Sequence, residues 1–193
     1  MTHIQKREGK GRVNASLRST PELEALTKIY YASPNELAGF REMQENDLPS
    51  IYHTLLAHHQ HMTVTLEAHN GCPVEVDVLR SETTETHYHR KVLLRRLSDQ
   101  EVVLFGIVRI NRTLLPAEVR DEIESESIPL GTTLINRNIY RNVRLLSFWE
   151  VEPGDELSGY FELDSPGPLY ARSALIYCDD VPVIELLEIV TAD

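Results

Sequence analysis

The chain has 193 residues, the usual size of one domain and enough to bury a core without disulfides; its two cysteines, Cys72 and Cys178, lie in no CxxC pair and make no secreted disulfide framework. Thirty acidic against 19 basic side chains give a formal net charge of -11, a surface field that repels nucleic acid and anionic lipid but leaves room for a basic pocket. No apolar stretch has the form of a signal peptide or the length of a bilayer span, so a cytoplasmic protein with no nucleic-acid partner and no membrane insertion is expected.

Residues 1–19 are polar, with Lys6, Arg7, Lys10 and Arg12 among glycines, and read as a flexible arm; residues 20–193 read as a single domain. Thr20 and Ser19 before Pro21-Glu22 form a helix start, with Leu23, Leu26, Ile29 and Tyr30 as its apolar stripe. Pro34 is expected to end that segment, and Glu36–Gln44 to form a second short helix. Leu48, Ile51, Tyr52, Leu55 and Leu56 have helical spacing. A turn is expected at His69-Asn70-Gly71, followed by a strand through Val74, Val76 and Val78.

From Thr86 the period becomes two: Tyr88, Arg90, Val92 and Leu94 share one face, and Glu101–Ile110 reads as an adjacent antiparallel strand. Val119 and Ile123, amid five acids, mark an acidic amphipathic helix that ends before Pro129-Leu130-Gly131. Apolar runs follow at 143–151 and 159–163, then a turn-rich Ser165-Pro166-Gly167-Pro168. Residues 170–178 and 182–190, separated by Asp179-Asp180, predict a closing antiparallel hairpin. The sum is an α+β domain, an antiparallel sheet covered by helices.

His53, His58, His59 and His61 lack HExxH spacing and a partner pattern, and His87 and His89 share one side of a strand, so surface or capping roles suit all six. No phosphate loop, dinucleotide fingerprint or GxSxG elbow is present, and the chemistry expected needs neither cofactor nor metal. Arg90, on an inward strand face, needs an anionic or hydrogen-bonding partner: a ligand, an internal acid, or water reached by snorkelling. Glu185 and Glu188 fall on opposite faces of the last strand, so only one enters any given pocket, and the period does not choose between them.

Several ordered blocks carry a family resemblance. They are His61-Met62-Thr63 with Leu66-Glu67, Arg90 with Leu93-Leu94 and the strand through Gly106, Ile128-Pro129-Leu130-Gly131-Thr132, and Ala171-Arg172-Ser173 with the closing strand. In order and spacing this resembles the chorismate lyase-like superfamily, which includes bacterial chorismate-pyruvate lyases and ligand-sensing domains of certain transcription regulators, over most of the chain from Leu48 to Val190.

The resemblance implies a chorismate lyase-like fold, a central antiparallel sheet flanked by helices whose flaps enclose a small ligand pocket. It implies cofactor-free elimination of pyruvate from chorismate to leave 4-hydroxybenzoate, a ubiquinone or plastoquinone precursor. It matches Arg90 to the arginine that binds a substrate carboxylate, the Leu130-Gly131 backbone to amides that hold a carboxylate, Met62 to an apolar flap residue and Glu188 to the catalytic acid. The step from Pro182 to Glu188 is one residue longer than in the best-known lyase, which a small bulge or shifted turn accommodates. The competing readings are a non-enzymatic sensor of the same fold, a lyase making another hydroxybenzoate isomer, and a structural protein in which Arg90 and Glu188 pair internally without a cavity.

Overall fold

The computed structural model describes residues 23–139, 141–162 and 167–192. The arm at 1–19, the helix start at 19–22 and part of the turn at 165–168 lie outside the described residues. Seven strands form one sheet: β1 (Ala38–Met43), β2 (Val74–Thr83), β3 (His87–Arg96), β4 (Val102–Asn111), β5 (Arg141–Pro153), β6 (Leu169–Cys178) and β7 (Val181–Val190). Their order is β1-β5-β6-β7-β4-β3-β2, and every neighbouring pair is antiparallel. Six helices are described: α1 (Leu23–Thr27), α2 (Ser50–Leu56), α3 (Met62–Asn70), α4 (Ala117–Glu124), α5 (Leu130–Asn136) and α6 (Asp155–Tyr160). The α+β class expected from the sequence is therefore present, and among the described residues no helix is long and apolar enough to cross a membrane.

The central strands read as nearly unbroken apolar runs because helices cover both sides. In β4, β6 and β7 most residues are buried. On one face, Phe105, Ile107, Leu187 and Ile189 pack with Leu26 of α1 and Leu157 of α6. The other face carries two separate apolar pads. Leu55, Leu56, Met62 and Leu66 of α2 and α3 cover one, whereas Val119, Ile123, Leu130 and Leu134 of α4 and α5 cover the other. The edge strand β2 turns Glu75, Arg80 and Glu82 toward solvent, charges that discourage edge-to-edge pairing.

The closing hairpin forms as expected. Cys178 pairs with Val181, and Asp179 and Asp180 both take positive φ, +49° and +64°, the left-handed pair that a two-residue hairpin turn demands. Leu23, Ile29 and Tyr30 pack beside Leu26 on the apolar cluster, as the stripe predicts, although α1 ends at Thr27 and Pro34 opens a 3-10 turn.

Other expectations need correction. Glu36–Gln44 does not form a helix: Ala38–Met43 is strand β1, paired with β5 from Ala38↔Pro153 to Met43↔Phe148. Edge pairing, with Phe40 set edge-on against Trp149, overrides the helix-forming composition. Asn70-Gly71 makes its turn by ending α3, with Gly71 at φ +66° as the left-handed residue after the helix. The isolated Gly131 and Gly159 both lie within short helices, α5 and α6.

Phe105 is fully buried at the centre of the sheet and stacks on Tyr160. Phe105→Ala is expected to cost about 3–5 kcal/mol, read as a lowered midpoint in urea unfolding with an unchanged slope.

Candidate ligand cavity and its charged floor

Between the two helical pads the sheet floor is not fully covered, and a cavity opens there. Its enclosed heart is about 50 Å³, and all the space between its walls, counted out to solvent, is about 570 Å³. The smaller figure is the one to set against small-molecule sites, of about 300–1,000 Å³, so the walls stand close together and a ligand needs them to part.

Strand register builds the floor. Val92, Gly106, Glu188 and Arg172 lie directly opposite one another across β3, β4, β7 and β6, a row of four on one face. Arg90, two residues along β3 from Val92, shares that face, as the two-residue period predicts. Gly106 keeps the row open, since a Cβ there would meet Val92 Cγ2 at 3.2 Å and Leu104 Cδ2 at 3.3 Å.

The walls are the segment from Gln60 to Thr63 and the start of α5. They touch at Gly131, where a Cβ would lie 3.0 Å from His61 Cβ and 3.2 Å from its Cγ, so the close approach selects glycine. The amides at the first turn of α5 have no carbonyl within the helix to bond.

The structure thus brings all the sequence-predicted site residues, Met62, Arg90, Leu130, Gly131 and Glu188, around one cavity. Arg90 is 2% exposed, and its Nε and Nη1 have no hydrogen-bond partner. Burial lowers its pKa, against the opposing pull of Tyr88 and Glu126. The Tyr88 hydroxyl donates to Glu126 at 2.8 Å, and burial pushes that hydroxyl up to about 12. Tyr88, itself bonded to Glu126, is the internal neighbour that supports the Arg90 charge, while Nε and Nη1 stay without a partner.

Glu188, 8% exposed, takes the inward position, whereas Glu185 lies on the opposite parity and pairs with Arg109. The bulge is present too: Tyr177 faces Pro182 while Ile176 faces Ile184, which leaves Val183 as the extra residue between Pro182 and Glu188.

Two residues without an assigned role also line the space. Arg172 is 1% exposed and donates through Nε to Glu188 Oε2 at 2.7 Å. Its signal was present in the sequence, since a guanidinium amid Tyr170, Ala174 and Ile176 repeats the reasoning applied to Arg90. His61 accepts from Arg141 Nε, which places its proton on Nδ1. Burial, and then Arg141 and Arg172, depress its pKa to about 4, so the ring is neutral at pH 7. His58 lies between α2 and α3, where its Nε2 donates to Leu55 O at 2.7 Å and its Nδ1 accepts from Gln60 N at 3.2 Å. Two guanidiniums against one carboxylate leave the cavity with one excess positive charge inside an acidic protein.

Fold and site together define an α+β protein with an enclosed, net-positive cavity on its sheet. No protein-family model matches the chain, and no curated protein does. Among solved structures, the effector domain of PhnF from Mycobacterium smegmatis is similar at TM-score 0.49 and 12% identity, over 68% of this chain and 88% of that one. A GntR-family transcriptional regulator from Bacillus cereus is similar at 0.42 and 12%, over 61% and 90%. The C-terminal domain of Yurk from Bacillus subtilis gives 0.39 and 15%, over 61% and 86%.

Arg90→Met keeps most of the volume and removes the unpartnered charge. It is expected to stabilise the protein by about 1–3 kcal/mol, measured by urea unfolding.

The folded-state value of His61, about 4, lies below its ordinary 6.5, so the unfolded chain takes up the proton first. Its contribution to stability is therefore complete above about pH 6.5 and is lost as the pH falls to about 4. Subtracting the unfolding profile of His61→Gln from that of the wild type is expected to isolate this loss.

Proposed function

We propose that the cavity binds a small cyclic carboxylate and that the chain eliminates pyruvate from chorismate to leave 4-hydroxybenzoate. The observation that carries this reading is Arg90: a fully buried guanidinium with two unpartnered nitrogens, lining a cavity that also holds the Glu188 carboxylate. A buried charge of this kind calls for an anion of matching geometry, and a carboxylate accepts from a guanidinium through two parallel bonds. The first-turn amides at Leu130 and Gly131 serve the second carboxylate, and Met62 helps exclude water.

Glu188 begins as the carboxylate that accepts from Arg172. It takes the proton from ring C4; the C–H electron pair becomes the ring double bond as the C3–O bond breaks, and the oxygen leaves with its pair as the enolate of pyruvate. Glu188 then returns the proton to the methylene carbon of that enolate. The ring becomes aromatic, the proton ends in pyruvate, and no external oxidant or reductant is consumed.

This order departs from the simplest acid role for Glu188, in which it carries a proton before the ether departs. The Arg172 bond supports the base-first order. The same bond is the observation favouring a second reading, a binding or sensor domain: a carboxylate held away from C4 leaves a cavity that retains its ligand without turnover.

The deciding experiment incubates chelator-treated protein with chorismate, separates hydroxybenzoate isomers by retention and mass, and assays pyruvate. Equal amounts of pyruvate and 4-hydroxybenzoate are expected. Unchanged chorismate overturns the lyase reading, and calorimetry with 4-hydroxybenzoate then tests the binding reading. Within the lyase reading, Glu188→Gln is expected to lower kcat by about 10²–10⁴-fold, and Arg90→Lys to raise KM because a point charge replaces the two-pronged contact.

A further inference from the structure

Arg172 lies in the middle of β6, opposite Glu188 on β7 and Phe148 on β5. Its guanidinium does two things at once. Nε donates to Glu188 Oε2 at 2.7 Å, while Nη1 donates to the carbonyl oxygens of Leu56 at 3.1 Å and His58 at 3.0 Å.

Those carbonyls belong to the end of α2 and to the segment that leads from it into α3. The same segment carries Gln60, His61 and Met62 along the cavity wall. Carbonyls at a helix C-terminus have no amide left to bond; α2 closes with one backbone bond, Ala57 N to His53 O at 2.9 Å, and His58 Nε2 donates to Leu55 O, which leaves the Leu56 carbonyl for Arg172. A planar fork of five N–H groups can reach a carboxylate and two carbonyls without changing its own conformation; the compact ammonium of lysine cannot.

We infer that Arg172 is a positioning residue. It fixes the Glu188 carboxylate on the cavity floor and holds the segment 57–62 closed over that floor. The inference deepens the proposed function, because it gives the reacting carboxylate and the enclosing wall a common support, and it rests on the reading of the cavity as a ligand site. Closure of the wall is nevertheless measurable without a ligand, so the two readings can fail separately.

The test compares the wild type with Arg172→Lys and Arg172→Gln by hydrogen exchange on the ligand-free protein, followed by steady-state kinetics on chorismate. In both variants the amides of residues 57–62 are expected to exchange at least about tenfold faster, with β4 and β7 unchanged. In Arg172→Lys, kcat is expected to fall by about 100-fold with a smaller change in KM, the mark of misplaced chemistry rather than lost binding.

Unchanged exchange at 57–62 overturns the inference, and so does an increase spread evenly through the sheet, which marks a purely structural residue. Faster exchange confined to 57–62 in a wild-type background inert toward chorismate upholds the clamp and removes the lyase reading. If Arg172→Gln fails to fold, the double variant Arg172→Met with Glu188→Met removes the buried pair together. The same local rise in exchange is expected there, and its absence overturns the inference.

Discussion

The structure depends on how charge is held in the middle of an apolar sheet. Two guanidiniums, Arg90 and Arg172, are almost completely removed from water, a transfer that costs several kcal/mol for each ion unless partners replace the lost hydration. The two are treated differently. Arg172 is given a carboxylate and two carbonyls, whereas Nε and Nη1 of Arg90 are given nothing. One charge thus ties the protein to itself, and the other keeps two buried nitrogens without a partner.

Antiparallel register makes that difference possible. Glu188 lies directly across from Arg172, while Arg90 is two strands away on β3 and displaced by two residues. Two strand spacings set the backbones about 10 Å apart. Gly106 stands between them in the row and contributes no side chain to fill the gap. The helical covering respects the same division: α2 and α3 seal one side and α4 and α5 the other, with Gly131 and His61 in contact where the two covers meet. An unbroken cover would have produced a better-packed core and no cavity.

Much of this was legible because strands announce themselves by a period of two. Tyr88, Arg90, Val92 and Leu94 turn inward together, and the opposite parity of Glu185 and Glu188 survives in the structure. Choosing Glu188 required the family resemblance, since two acids on opposite faces are equivalent until the faces are identified. What the sequence hid was local and short. β1 has only six residues and a helix-forming composition, so its identity came from its partner β5. α5 follows a proline and begins Leu-Gly, a pattern that also suits a turn. The contacts of Arg172 with Leu56 and His58 join residues more than a hundred positions apart, and no periodicity reports a pairing between a side chain and a distant carbonyl.

Charge bookkeeping in the cavity bears on the proposed reaction. A net charge of -11 opposes the approach of a dianion, yet exposed charges are screened within about 10 Å in salt, while a guanidinium in a low-dielectric cavity retains its field. The neutrality of His61 matters here, because a protonated ring would add a second uncompensated positive charge beside Arg141 and Arg172. With His61 neutral, the excess inside is a single charge. In the proposed reaction chorismate, with two carboxylates, exceeds it by one and calls on the α5 amides for the remainder. 4-Hydroxybenzoate, with one carboxylate, matches it. Elimination leaves two monoanions, so the charge held in the cavity changes only when pyruvate departs, and the remaining 4-hydroxybenzoate then neutralises the excess. On the same proposal, departure of the aromatic product strips Arg90 of its partner and requires the walls at His61 and Gly131 to part.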